Sequence, residues 1–311
     1  MKQIHKYIIL LAVVAEVMVF ALLAPQFLTA DNLINVALSI AITGILAVGM
    51  TFVILTGGID LSIGSVLAVA GIVAAICAKS LGGAGIVVGI AAAVLTGLVC
   101  GLATGITVAR FRVPPFVVTL AVLTIARGLA FIAADKFAGS TSISDLPSGF
   151  AFLGREKLLN LPVPVVSMLI VFAVGWFILR HTRFGRYVYA IGGNSEAAFL
   201  AGVNVQSVKT WVYILNGALV GFAGVTLASR LGAGVANAGL QYELDVIAAV
   251  VVGGTSLTGG KGSVISTLFG AIFIGVLNNG LNLAGIDPYL QKIALGVVIL
   301  LAVLADQIKN K

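Results

Sequence analysis

Polar side chains of two kinds interrupt the long apolar runs of this sequence, and both kinds could act on a solute. Amides form the larger group: Asn216 lies in one run, and Asn278, Asn279 and Asn282 lie in another. Positions 278 and 282 are one helical turn apart and share a face. Amides suit a path for a neutral, hydroxyl-rich solute, because they hydrogen-bond it without trapping it as charges would. Hydrogen bonds between helices account for these amides equally well.

Ionisable side chains in or between the apolar runs form the second kind. A carboxylate at mid-bilayer costs about 3 kcal/mol, so Asp60 must meet water, a helix end or a cation. We predict that Asp60-Leu61-Ser62 caps the helix that follows it; contact of Asp60 with a substrate is the alternative. Glu16 and Arg127 lie near the middle of their runs at comparable depth, and we predict that they pair. A proton relay is the alternative for these residues.

The patterns that an enzyme would need are incomplete or missing. Thr255–Gly262 approximates the phosphate loop G-x-x-x-x-G-K-[ST], but Thr255 replaces the first glycine and Gly262 replaces the final hydroxyl residue. The histidines lack zinc-ligand spacing, and the sequence shows no nucleophile–base set. Cys77 and Cys100 lie in apolar runs and are expected to be small buried hydrophobes. We therefore expect no enzyme, no metal site and no cofactor in this chain.

Composition places the chain in a membrane. Of its 311 residues, 60% are hydrophobic and only 9% are charged, whereas soluble domains carry roughly a quarter charged residues. The net charge of +7 does not indicate a nucleic-acid partner, because the basic residues cluster at loop ends, where they orient a protein in lipid. We predict one transmembrane domain over residues 1–311.

Ten apolar runs approach the length of about 20 residues that a membrane-spanning helix needs. We therefore predict an all-α integral membrane protein with about ten transmembrane helices and both termini in the cytoplasm. The first run resembles a signal sequence but is predicted to be retained as a span. Glycines at four-residue spacing, such as Gly97, Gly101 and Gly105, or Gly217 and Gly221, are expected to pack helices closely. The predicted spans are residues 7–24, 40–56, 62–79, 84–109, 115–134, 162–180, 208–230, 244–260, 262–284 and 288–306.

Residues 181–209 form a predicted cytoplasmic loop, because arginines crowd its entrance and Lys209 closes it. Gly192-Gly193-Asn194 is expected to break the chain, and Asn194 is expected to cap a short helix over Ser195–Ala201. Glu196 lies in the first turn of that helix, and Gly202 ends it. So short a helix needs a surface to dock on. We predict that it offers Ala197, Ala198 and Phe199 to a partner protein.

One motif occurs twice. Residues 57–65, GGIDLSIGS, resemble residues 253–260, GGTSLTGG, and each copy follows an apolar run and precedes a glycine-rich span. Repeats built around broken helices are common in transporters. The predicted topology gives both copies the same orientation, so either the repeat is local or one segment does not fully cross the membrane.

Four stretches of the sequence carry a family resemblance: ILAVGMTFVILTGGIDLSIGS (45–65), HTRFGRYVYAIGGNSEAAFLAGVNV (181–205), YELDVIAAVVVGGTSLTGGKGS (242–263) and IGVLNNGLNLAGI (274–286). They resemble the ribose-type permeases of bacterial ABC sugar importers, and the resemblance runs from about residue 27 to residue 306. It implies ten spans like those of the cobalamin-importer class, in the bacterial inner membrane. It also implies that the loop 181–209 holds the coupling helix, which docks on the ATPase through Gly192, Gly193, Asn194, Glu196, Ala197 and Ala198.

Three partner chains follow from this resemblance. They are a second permease, either a copy or a paralogue; a cytoplasmic ATPase with two nucleotide-binding domains, which binds ATP and magnesium; and an extracytoplasmic sugar-binding protein. The expected function is ATP-driven import of a monosaccharide such as ribose or of a polyol. A proton-coupled secondary sugar transporter is the alternative, and a structural scaffold is the third hypothesis.

Overall fold

The computed structural model of the chain describes residues 2–310 and is built mainly of helices. Four short strands and one 3₁₀ turn, Ser148–Ala151, lie in the connections. The strands are β1 (Ser142–Ile143), β2 (Lys157–Leu158), β3 (Leu161–Pro162) and β4 (Gly234–Val235). The helices are α1 (Lys2–Leu23), α2 (Ala30–Leu55), α3 (Ile63–Ala109), α4 (Pro115–Ala138), α5 (Phe152–Arg155), α6 (Val163–His181), α7 (Arg183–Gly193), α8 (Ser195–Leu200), α9 (Val205–Leu231), α10 (Tyr242–Val252), α11 (Val264–Leu283) and α12 (Pro288–Asn310).

Seven of the described helices are long and apolar enough to cross a membrane: α2, α3, α4, α6, α9, α11 and α12. A shorter apolar stretch, Ile9–Leu23, lies within α1. The prediction of an all-α membrane protein is confirmed at this level. The predicted number of crossings and the side on which the termini lie stay predictions.

The α3 segment is a pair of helices packed side by side. Gly82 has φ 60° and ψ −134°, values that no helix contains, and the chain reverses there. A methyl group built at Gly85 would overlap the Cys77 carbonyl, and one built at Gly89 would lie 2.8 Å from the Ala74 carbonyl oxygen. The two arms, residues 63–81 and 83–109, therefore form an antiparallel hairpin and match the predicted spans 62–79 and 84–109.

Two predicted spans differ from the observed helices. The helix predicted over 40–56 begins ten residues earlier, at Ala30, where Thr29 accepts a hydrogen bond from the Asn32 backbone. The span predicted over 244–260 is wrong as a continuous helix, because α10 ends at Val252. Gly254 then adopts φ +86°, and residues 253–263 form a turn that includes a hydrogen bond from the Ser256 amide to the Lys261 carbonyl.

Close contact between α3 and α9 builds the core. A methyl group at Gly97 would overlap the Gly217 carbonyl, and one at Gly101 would overlap the Tyr213 carbonyl. This confirms the predicted close packing of these glycines, which lets backbones approach where lipid supplies no hydrophobic drive. Helix α2 lies at the centre with most of its side chains buried, whereas the apolar stretch of α12 lies on the outside.

The bundle has two distinct ends, separated by α6. At the strand end, β1 pairs antiparallel with β4, and β2 pairs with β3. At the α7–α8 end, the chain runs through two short helices before it enters α9. The 19 residues of α6 span about 28 Å, roughly the thickness of a bilayer core. The two ends therefore lie about one bilayer thickness apart.

Candidate functional site

The segment α7–α8 has the predicted cap and end. The Asn194 side-chain oxygen accepts hydrogen bonds from the Glu196 and Ala197 amides at 3.0 and 2.9 Å. Gly202 adopts φ +85° and lets the chain leave α8 towards α9. The break predicted over residues 192–194 is confined to Asn194, because α7 continues through Gly193 and only Asn194 is extended.

The exposed face of α8 differs from the predicted one. Ala198 is buried, since the Val203 amide folds back to donate to its carbonyl and brings this side of α8 against α9. The prediction that Ala198 is exposed is therefore wrong, and its part in docking stays a prediction. Phe199 is 67% exposed and Leu200 is 79% exposed, and together with the exposed Ala197 they form an apolar surface. Leu200 was not predicted from the sequence, because its direction depends on how α8 rests on α9.

Helix α7 connects α8 to the helix bundle. The Tyr189 hydroxyl donates to the Gly262 carbonyl at 3.0 Å, in the turn that follows α10. Burial raises the pKa of Tyr189, so the hydroxyl remains a donor at neutral pH. Tyr189 was not predicted as a functional residue, because nothing in the sequence indicates that these two segments meet.

Asp60 and Asn216, both predicted as candidates for the solute path, bind each other. Asp60 Oδ1 accepts from the Ser62 amide at 2.9 Å and from the Ser62 hydroxyl at 2.6 Å. Asp60 Oδ2 accepts from the Asn216 amide at 2.8 Å. Asp60 is 5% exposed and Asn216 is 0% exposed. The pair therefore fixes the turn before α3 to the middle of α9. Helix α3 begins after the predicted Asp60–Ser62 turn, but the predicted side-chain cap is not formed: Ser62 is the N-cap residue without a side-chain cap hydrogen bond, and Asp60 bonds to Ser62 instead of to amides of α3.

The amides of α11 point in different directions. Asn279 exchanges two hydrogen bonds with Asn32 of α2, at 2.9 and 3.0 Å. Asn278 makes a side-chain hydrogen bond to Asp245 of α10, and Asn282 is exposed. Asn32 and Asp245 were missed from the sequence, since Asn32 lay in the predicted loop before the span 40–56 and Asp245 lay at the start of the span 244–260. Asn278 and Asp245 are half-buried, and contact of any of these amides with a solute stays a prediction.

The predicted pair of Glu16 and Arg127 does not form. Arg127 donates to the carbonyls of Ala236 and Ala238 at 2.6 and 2.9 Å, and its charge lies near Glu243. Both carboxyl oxygens of Glu16 are buried without a hydrogen-bond partner among the described residues. The prediction failed because equal depth in two spans does not place them side by side. Among the described residues, no cluster of three or more histidine, cysteine or acidic side chains could hold a metal ion.

Comparison with known proteins identifies a family that matches most of this chain. Residues 32–303 match the family described as "Branched-chain amino acid transport system / permease component". A ribose import permease protein of Haemophilus influenzae is 44% identical over 98% of this chain and 95% of its own length. The Escherichia coli ribose import permease protein is 45% identical over 97% of this chain and 93% of its own length. An L-arabinose ABC transporter permease protein of Azospirillum brasilense is 40% identical over 93% of this chain and 84% of its own length. No solved structure gives a significant match.

Proposed function

This chain belongs to the permease component family of branched-chain amino acid transport systems, and we infer from that premise that it is the multi-pass inner-membrane permease subunit of an ABC sugar importer. The observation that carries this function is the 43–45% identity, over nearly the whole chain, to ribose import permeases of three bacterial genera. Permeases named for allose and xylose are 36% identical. We therefore propose ribose, or a sugar of similar size and hydroxyl pattern, as the solute.

A permease of this kind works with an ATPase and a solute-binding protein. We propose that the α7–α8 end faces the cytoplasm and receives the ATPase, which binds ATP and magnesium and hydrolyses the nucleotide. The strand end then faces the binding protein. The basic residues at the α7–α8 end, such as Arg183 and Arg186, support this orientation, because positive charge favours the cytoplasmic side. The proposed topology has ten crossings, as in the cobalamin-importer class, with both termini in the cytoplasm.

The proposed docking surface consists of Glu196, Ala197, Phe199 and Leu200. Large apolar side chains this exposed at a cytoplasmic end have no lipid to cover them, and exposed apolar patches commonly mark protein contacts. Burial of such a side chain contributes about 1.5–3 kcal/mol. Phe199 and Leu200 together therefore supply roughly 3 kcal/mol or more of docking free energy, enough for about a hundredfold in affinity.

Transport in this scheme is a change between two packings of the helices. The chain holds no nucleotide motif, so a partner must bias the two packings by binding one of them more tightly. Rigid helices that reach from α8 into the bundle are suited to such a change. We propose that the pathway lies at an interface with a second permease, either another copy of this chain or a paralogue.

Binding of the ATPase tests this function directly. The double variant Phe199→Ala/Leu200→Ala is expected to bind the purified ATPase about a hundredfold more weakly and to lose ATP-driven ribose uptake in proteoliposomes that contain the binding protein. The matched control is Phe152→Ala/Leu159→Ala, which removes side chains that are 55% and 89% exposed at the strand end. Unchanged ATPase binding in the first variant would contradict the docking surface.

The energy source needs a separate measurement. Uptake by the wild-type assembly is expected to stop when ATP is depleted and to continue when an uncoupler abolishes the proton gradient. Uptake that stops with the uncoupler alone would contradict an ABC importer and favour a proton-coupled transporter.

A further inference from the structure

The two copies of the glycine motif lie against each other. The Gly260 amide donates to the Leu55 carbonyl at 2.9 Å, and a methyl group built at Gly259 would lie 3.0 Å from the Gly57 nitrogen. The first turn, residues 56–62, joins α2 to α3, and the second turn, residues 253–263, joins α10 to α11. Contact between these turns brings four helix ends to one point.

The end of α7 is the third member of this contact. A methyl group at Gly192 would overlap both the Leu55 carbonyl and the Gly260 amide. One at Gly259 would lie 3.1 Å from Gly192 Cα, and one at Gly260 would lie 2.7 Å from the Gly193 nitrogen. The backbone of α7 thus touches both turns with no side chain between them. We call this three-way contact the glycine junction.

Only glycine fits several of these positions. Gly57 has φ +75°, Gly259 has φ +87° and Gly260 has φ +71°, a region that other residues rarely adopt. Gly192 is helical, so its requirement comes from space alone. The junction therefore depends on close approach of backbones, and close-packed interiors transmit displacement instead of absorbing it.

Each turn is fixed to a different part of the bundle. Asp60 ties the first turn to Asn216 of α9 at 2.8 Å. The second turn continues into α11, where Thr267 shares a hydrogen bond of 2.9 Å with Thr51 of α2. Tyr189 ties α7 to the second turn through the Gly262 carbonyl. A displacement of α7 therefore acts on α2, α3, α10 and α11 together.

We propose that the glycine junction is where movement of the ATPase-docking segment enters the transmembrane helices, with Gly192 as the positioning residue and Tyr189 as the tether. This inference rests on the proposed function, since it assumes that α8 is driven by an ATPase. It adds the route: α8 and α7 move together, and the end of α7 drives both glycine turns at once. The helix breaks at Leu55 and Val252 then serve as the joints about which the spans repack.

Two glycines in helices provide a matched test. Gly192→Ala places a methyl group against two backbones, whereas a methyl group at Gly128 of α4, outside the junction and the docking segment, meets nothing within 4 Å. Both variants are assembled with the ATPase in proteoliposomes, with liganded binding protein added, and the ribose imported per ATP hydrolysed is measured. Gly192→Ala is expected to lower this ratio at least tenfold while ATPase binding and hydrolysis persist, and Gly128→Ala is expected to leave it unchanged.

Tyr189→Phe decides the question if Gly192→Ala does not assemble, because it removes only one hydroxyl. It is expected to lower the ribose imported per ATP severalfold with hydrolysis retained. A merely structural role would reduce hydrolysis and import in parallel and leave their ratio intact. An unchanged ratio in Tyr189→Phe, or in assembled Gly192→Ala, overturns the junction. Wild-type import that does not need the ATPase would instead overturn the proposed function.

Discussion

Replacing Asn216 by alanine removes the donor to Asp60 Oδ2, and the structure allows the cost to be worked out. The hydrogen bond of 2.8 Å is buried, and a hydrogen bond to a carboxylate contributes about 1.5–3 kcal/mol. The Asn216 oxygen itself has no partner among the described residues, so its loss offsets part of this cost. We expect Asn216→Ala to lower the free energy of unfolding by about 2 kcal/mol.

A double-mutant cycle isolates the pair. Asp60→Asn keeps the shape of the side chain, and a flip of the Asn216 amide would let its unpaired oxygen accept from the new amide, so this variant is expected to cost only about 1 kcal/mol. The double variant is expected to be more stable than additivity predicts by about 1 kcal/mol, beyond the roughly 0.3–0.5 kcal/mol by which independent sites deviate. Reversible unfolding in detergent by denaturant titration gives the four free energies.

The same variants separate a structural role from contact with the solute. If the pair holds the turn before α3, Asp60→Asn should leave the KM for ribose uptake unchanged. Strict additivity of the two substitutions would refute the reasoning about stability. A raised KM with unchanged stability would instead place Asp60 on the solute path. The exposed Asn282 supplies a control, since Asn282→Ala should leave the unfolding free energy within about 0.5 kcal/mol of wild type.

Three further substitutions test the packing and the buried polar groups. Gly97→Ala should lower the unfolding free energy by about 1–3 kcal/mol, because its methyl group overlaps a carbonyl of α9. The control Gly128→Ala has open space at the methyl position and should leave the unfolding free energy unchanged. Equal stability of the two variants would contradict the close packing of α3 against α9. Asn279→Leu should lower the unfolding free energy by about 0.6 kcal/mol or somewhat more, since it removes the side-chain partner of Asn32 on α11. A gain in denaturant resistance would contradict a stabilising role of that pair. Glu16→Leu should raise the unfolding temperature, because it removes a buried carboxyl without a partner; a loss of assembly instead would show that a second chain uses Glu16.

The sequence predicted those features that depend on neighbouring residues. Apolar runs reveal helices because a bilayer demands them, and Asn194 followed by Glu196 predicts a capped helix start. Features that depend on distant residues were missed. Ala198 is buried only because α9 lies beneath it, and Arg127 bonds to carbonyls some 110 positions away in the chain.

The predicted span 244–260, which is interrupted where α10 ends, shows why an apolar run does not always predict a continuous helix. Residues 244–260 are apolar enough for a span, yet α10 has 11 residues and covers about 16 Å. The turn that follows closes hydrogen bonds within itself, such as Ser256 amide to Lys261 carbonyl at 2.9 Å. Internal closure is what non-helical backbone needs inside a membrane protein, and hydropathy does not reveal it.

The equal orientation of the two glycine motifs has a mechanical consequence. Transporters built from inverted repeats place equivalent breaks on opposite sides of a two-fold axis in the membrane plane. Here α2 and α10 both end at the same side of the bundle, where Leu55 and Gly260 meet. A single segment that docks from one side can therefore touch both turns, which inverted copies would not allow. Gly192 makes both contacts with one backbone position, so a bulkier residue there should disturb both turns at once and not one in preference to the other.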